Sequence, residues 1–91
     1  MPLSHDQRET VQLAVLQQLD AAHPRLLTAK ALIIPLTQSG LAAVDEAALH
    51  SLLTDMTSTG LVMSSASDLA AEVIRYTRTD KGRVALRAAG F

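Results

Sequence analysis

The sequence predicts a mainly α-helical domain with a small antiparallel β hairpin, in the order helix, helix, helix, strand, strand, helix. Three observations predict it. Apolar residues recur at helical spacing in three segments before residue 60. The closing stretch VIRYTRTDKGRVALRAAGF, Val73 to Phe91, alternates like a strand in its first half and reads as a helix in its second. The composition is 48% hydrophobic, dominated by Ala and Leu, with one Tyr, one Phe and no Trp, which favours helices over extended sheets. Ninety-one residues suit a single domain over 1–91. A chain this short buries only about 60–65% of its unfolded surface, so self-association is expected to help it.

The first helix is expected over about residues 5–22. Ser4 and Gln7 have the spacing of a capping box, in which each side chain satisfies a free backbone N–H of the other. Val11, Val15, Leu19 and Ala22 then form a stripe that Leu16 widens, with Leu13 off to its side. The His23-Pro24 pair ends the helix, because a residue before proline avoids the α region. A short extended piece at Arg25–Leu27 is expected to add a strand to the hairpin.

The second helix, about 28–39, starts at Thr28, a good N-cap, with Ala29, Leu32, Ile33 and Leu36 on one face. Pro35 removes one hydrogen bond inside it and predicts a kink or an early end. The third helix, about 45–59, has the cleanest period, with Leu49, Leu52, Leu53 and Met56 at i, i+3, i+4 and i+7. Gly40, Gly60 and Gly90 each precede an apolar residue and follow another four positions back. That spacing predicts a left-handed glycine closing each helix, with helix termination rather than phosphate binding as its role.

The hairpin is expected over about 61–78. Its strands are LVM and VIRYTRT, with SSASDLAAE as the loop between them. Alternation places Ile74 and Tyr76 toward the core and Arg75 toward solvent. Thr79 or Asp80 caps a last helix over about 80–89.

This order, with TSTGLV before the hairpin and YTRTDKGRVAL after it, resembles the winged-helix domains of bacterial transcription regulators. In that family a Tyr-x-Leu-Thr-x-x-Gly-Arg segment joins the wing to the closing helix, and Tyr76, Thr79, Gly82 and Arg83 fall on it at the right spacing. The resemblance covers roughly Leu26 to Leu86 and assigns no subfamily. It implies that the third helix reads duplex DNA and that the first and last helices form a homodimer interface. Arg78 stands where the family carries a buried Leu, which predicts snorkelling, an acidic partner or a shifted register.

The charge map opposes part of that expectation. The chain carries a net charge of -1, but unevenly. Arg8, Arg25 and Lys30 balance Asp6, Glu9 and Asp20 over residues 1–43. Asp45, Glu46, Asp55, Asp68 and Glu72 stand without a cation over 44–72. Arg75, Arg78, Lys81, Arg83 and Arg87 face only Asp80 over 73–91. The candidate contacts to DNA or a partner are therefore Arg75, Arg78, Lys81, Arg83, Arg87 and Lys30. The third helix has no Lys, Arg, Asn or Gln, the residues that neutralise phosphates and read base edges. It puts Asp45 and Glu46 at its start, so the alternative is a winged-helix protein-interaction module whose partner meets Asp45, Glu46 and Asp55.

Other chemistry is excluded by pattern. His5, His23 and His50 lack metal-ligand spacing, and His50 lies four residues after Glu46, as in a helical ion pair. No nucleophile elbow, phosphate loop or dinucleotide fingerprint occurs, so no enzyme and no cofactor is expected. The polar start MPLSHDQRET predicts no secretory leader, and ALIIPL is too short to span a membrane. The absence of cysteine fits a cytoplasmic protein.

Overall fold

The computed structural model describes residues 4–40, 44–67 and 69–91. Its elements run α1 (His5–Ala22), β1 (Leu27–Thr28), α2 (Ala29–Gln38), α3 (Glu46–Ser58), β2 (Val62–Ser67), β3 (Ala70–Arg78) and α4 (Asp80–Ala88).

Each helix begins where a side-chain oxygen takes an orphan amide. Ser4 and Gln7 form the reciprocal capping box, with the Ser4 amide donating to Gln7 Oε1 at 3.0 Å and the Gln7 amide to Ser4 Oγ at 3.2 Å. Thr28 accepts from the Ala31 amide, Asp45 from Ala48 and Thr79 from Gly82. α1 stops at His23, before the proline. α2 runs one turn past Pro35 and closes at Gln38.

All three glycine stops are left-handed, and those at Gly60 and Gly90 are Schellman turns. At Gly60 (φ +81°) the Leu61 amide donates to the Met56 carbonyl at 2.9 Å, and the Gly60 amide to Thr57 at 3.1 Å. Gly90 repeats the pattern, with Phe91 donating to Leu86. Gly40 makes the inner bond to Thr37. Its expected apolar contact, Leu41, lies outside the described residues, as does Asp68.

α1 packs on α2, α3 and α4 around one buried cluster. Val11, Val15, Leu16 and Leu19 enter it from α1, and Ala29, Leu32 and Leu36 from α2. The four periodic residues of α3, Leu49, Leu52, Leu53 and Met56, are all fully buried. Burying a side chain of this kind contributes roughly 1.5–3 kcal/mol, so α3 is held by its inner stripe whatever its outer face carries. Tyr76 closes the sheet side, and desolvation by burial raises its phenol above the ordinary value near 10.

The strands lie in the order β1-β3-β2, all antiparallel. Val62 pairs with Arg78, Met63 with Thr77 and Ser65 with Arg75, and a register shift follows Ala66. Three sequence expectations need correction here. The segment read as a loop from Ser64 to Glu72 is mostly strand, pairing through Ser67 and resuming at Ala70. Ladder bonds between backbones need no apolar side chains, and Ser64, Ser65 and Ala66 are exposed. Ile74 is 41% exposed rather than core, because the hairpin at that level has passed beyond the buried cluster. The short first strand is Leu27–Thr28, pairing with Tyr76 and Arg75, one residue later than the span expected to end at Leu27.

The joint between β3 and α4 is close-fitting. The Thr79 amide donates to the Leu61 carbonyl at 3.1 Å, and its hydroxyl lies 2.5 Å from the Gly60 carbonyl oxygen. Lys81 Nζ donates to the Thr59 carbonyl at 2.6 Å, at the C-terminal end of α3 where carbonyls are unsatisfied. Gly82 packs so tightly that an added Cβ would press into the Leu61 carbonyl oxygen and come within 3.1 Å of Leu16 Cδ2. The glycine of the Thr-x-x-Gly segment is thus required by backbone contact.

Candidate nucleic-acid interface

α2 and α3 pack as a pair, and the face of α3 opposite its leucines is open to solvent. Glu46, Ala47, His50, Ser51, Thr54 and Asp55 lie on it. The N-terminal half of this face borders a shallow cleft of about 220 Å³. Thr28, Ala29 and Lys30 line the cleft from the start of α2, Glu46 and His50 from α3, and Val73 and Ile74 from β3.

The three acids of α3 are not left bare. Asp45 Oδ1 accepts the Ala48 amide at 2.7 Å, so its charge sits on the helix N-terminus, where the dipole favours it. Asp55 forms an ion pair with Arg8 of α1. Glu46 Oε1 stands 3.7 Å from His50 Nε2, the i,i+4 contact expected from the spacing.

The cations fall into three groups. Arg78 is withdrawn from the surface: its Nε donates to Asp20 Oδ1 at 2.8 Å, and only 10% of its side chain is exposed. The acidic partner, not snorkelling or a slipped register, accommodates a charge at this position. As a contact candidate Arg78 is already occupied. Lys81 is engaged as the C-terminal cap of α3. Lys30, Arg75, Arg83 and Arg87 are exposed, without an ion pair among the described residues.

Geometry separates those four. Lys30 lines the cleft, whereas Arg75 does not: it stands opposite Thr28 in the sheet and is exposed on the strand beside it. Arg83 and Arg87 stand one turn apart on α4, the helix that packs on α1. The basic tail is therefore not a single patch, and among the described residues none of its cations pairs with an acid of residues 44–72. Arg8 and Asp20, missed as partners, lie 47 and 58 residues from the groups they bind, and no local pattern points to them.

The same arrangement of helices and hairpin occurs in solved structures. The chain superposes on a PadR-like transcriptional regulator from Bacillus cereus with a TM-score of 0.75 at 23% identity, over 93% of this chain and 82% of the other. A PadR-like transcription factor from Bacteroides fragilis gives a TM-score of 0.74 at 22% identity, over 91% and 79%. This is the winged-helix fold. The transcriptional regulator BldR from Sulfolobus solfataricus shares the winged helix at a TM-score of 0.67 and 16% identity, over 88% of this chain and 51% of its own. No protein-family model and no curated protein matches the sequence. The β2–β3 hairpin is the wing, and α2 and α3 are the helix pair beside it. Among the described residues no helix is long and apolar enough to cross a membrane, and no three His, Asp or Glu side chains converge as metal ligands.

Proposed function

We propose that this winged helix is a small DNA-binding transcriptional regulator rather than an enzyme, cytoplasmic and acting as a homodimer. The observation that carries the reading is the state of α3. Its inner stripe is locked in the core, its outer face is free, and two of its three acids are engaged, Asp45 by the Ala48 amide and Asp55 by Arg8. The repulsion of phosphate implied by the sequence is correspondingly reduced. Lys30, which lines the cleft, and Arg75, exposed on the neighbouring strand opposite Thr28, are the phosphate contacts in this reading, and the solved regulators of like fold support the assignment to DNA.

The test is a titration of random-sequence duplex at low ionic strength, repeated as salt is raised. Measurable affinity with a steep negative salt slope is expected, and Lys30→Ala and Arg75→Ala should each flatten the slope by about one unit. Arg83→Ala, on α4, should leave it unchanged. Absence of binding at low salt would eliminate the DNA reading. The protein-interaction module would then take its place, favoured by an α3 with no Lys or Arg.

The homodimer is placed on α1 and α4. Leu13, only partly buried, borders an apolar groove shared with Ala85, Ala88 and Ala89 and another shared with Ala14 and Phe91, which is 58% exposed. Covering these surfaces compensates for the small core. Sedimentation should show a dimer that Leu13→Glu converts to a folded monomer, with helicity checked by circular dichroism. A wild-type monomer at high concentration would refute the dimer.

A further inference from the structure

α3 has no Lys or Arg, so His50 is its one side chain able to become positive. It stands near the middle of the exposed face, with its side chain 49% accessible. Glu46, 58% accessible and 3.7 Å away, is the acid it faces. The other two acids of α3 are engaged elsewhere, Asp45 by the helix amide and Asp55 by Arg8. From α2, Lys30 lines the same cleft and opposes a positive charge on the ring; β1 and β3 contribute Thr28, Val73 and Ile74, all uncharged. The charge that the reading helix shows to a phosphate is thus decided by one imidazole. When neutral, His50 leaves Glu46 uncompensated. When protonated, it cancels Glu46 and offers two N–H donors.

We propose that His50 is a DNA-contacting residue and that its protonation sets the affinity of the winged helix for duplex DNA, so that binding takes up a fraction of a proton, at most about half, and strengthens as pH falls. Histidine is the one side chain that ordinarily gains a positive charge between about pH 5 and 8. The proposal rests on the DNA-binding reading and adds to it a residue and a control.

The experiment measures affinity of the whole chain for a labelled random-sequence duplex at fixed low salt, between pH 8 and 5.5. Wild type should tighten by about tenfold on acidification, as one added favourable charge contact predicts. His50→Gln, exposed and so harmless to the core, should remain at the alkaline affinity throughout. Glu46→Gln should bind more tightly than wild type at pH 8 and show a weaker pH dependence. His5→Gln and His23→Gln serve as controls and should keep the wild-type profile. Binding that is independent of pH, or a His50→Gln profile that still follows wild type, would overturn the assignment to His50 while leaving DNA binding intact. No binding at any pH would overturn both.

Discussion

Gly82→Ala is expected to destabilise the winged helix by about 3 kcal/mol, a large share of the roughly 5–14 kcal/mol available to a domain of this length. Replacing glycine by alanine in an open helix normally gains about 1 kcal/mol from propensity. Here the sign reverses, because the new methyl meets the Leu61 carbonyl oxygen, a backbone atom that cannot rotate aside. Relieving the contact moves α4 off β2 and stretches the Thr79 bonds to Gly60 and Leu61. Urea unfolding should show the midpoint fall with m unchanged, and thermal unfolding should shift down by roughly 15 °C. A Gly82→Ala protein as stable as wild type would mean that the joint has slack its geometry denies.

Asp20→Ala should cost about 2 kcal/mol, whereas Arg78→Leu should be neutral or stabilising. Removing Asp20 leaves a guanidinium with 10% of its side chain exposed and only the fully exposed Asp80 for company, at 3.9 Å. The cost is set below that of a fully buried pair because Asp20 is itself 41% exposed. Arg78→Leu puts an apolar side chain at a site almost closed to water, and Asp20 then turns to water without penalty. The double variant should recover most of the loss, giving a coupling of about 1–2 kcal/mol by denaturant unfolding. Equal losses for both single variants with no coupling would show that the pair contributes nothing specific.

These two sites mark the boundary of what the sequence makes legible. Signals confined to a turn or two are readable. The Ser4–Gln7 box, the closing glycines and the four-residue stripe of α3 each depend on neighbours within a few positions, and each occurs as expected. Interactions across the fold are not readable. Asp20 meets Arg78, and Arg8 meets Asp55, only because α1 lies against β3 and α3. The wing is underestimated for another reason. Strand reading relies on alternating apolar side chains, whereas β2 beyond Met63 carries Ser, Ser, Ala and Ser and is laid against β3 by backbone pairing. At the candidate site, the lack of Lys and Arg on α3 is plain from the letters. That Asp55 is paired with Arg8 of α1 is not.

The linkage of Lys81 to Thr59, with Thr79 bound to Gly60 and Leu61, has a mechanical meaning. It ties the C-terminal end of α3 to the N-terminal end of α4. With Gly82 seated on the Leu61 carbonyl, α4 has little room to shift without straining these bonds. A load on the closing helix is therefore expected to be felt at the end of α3.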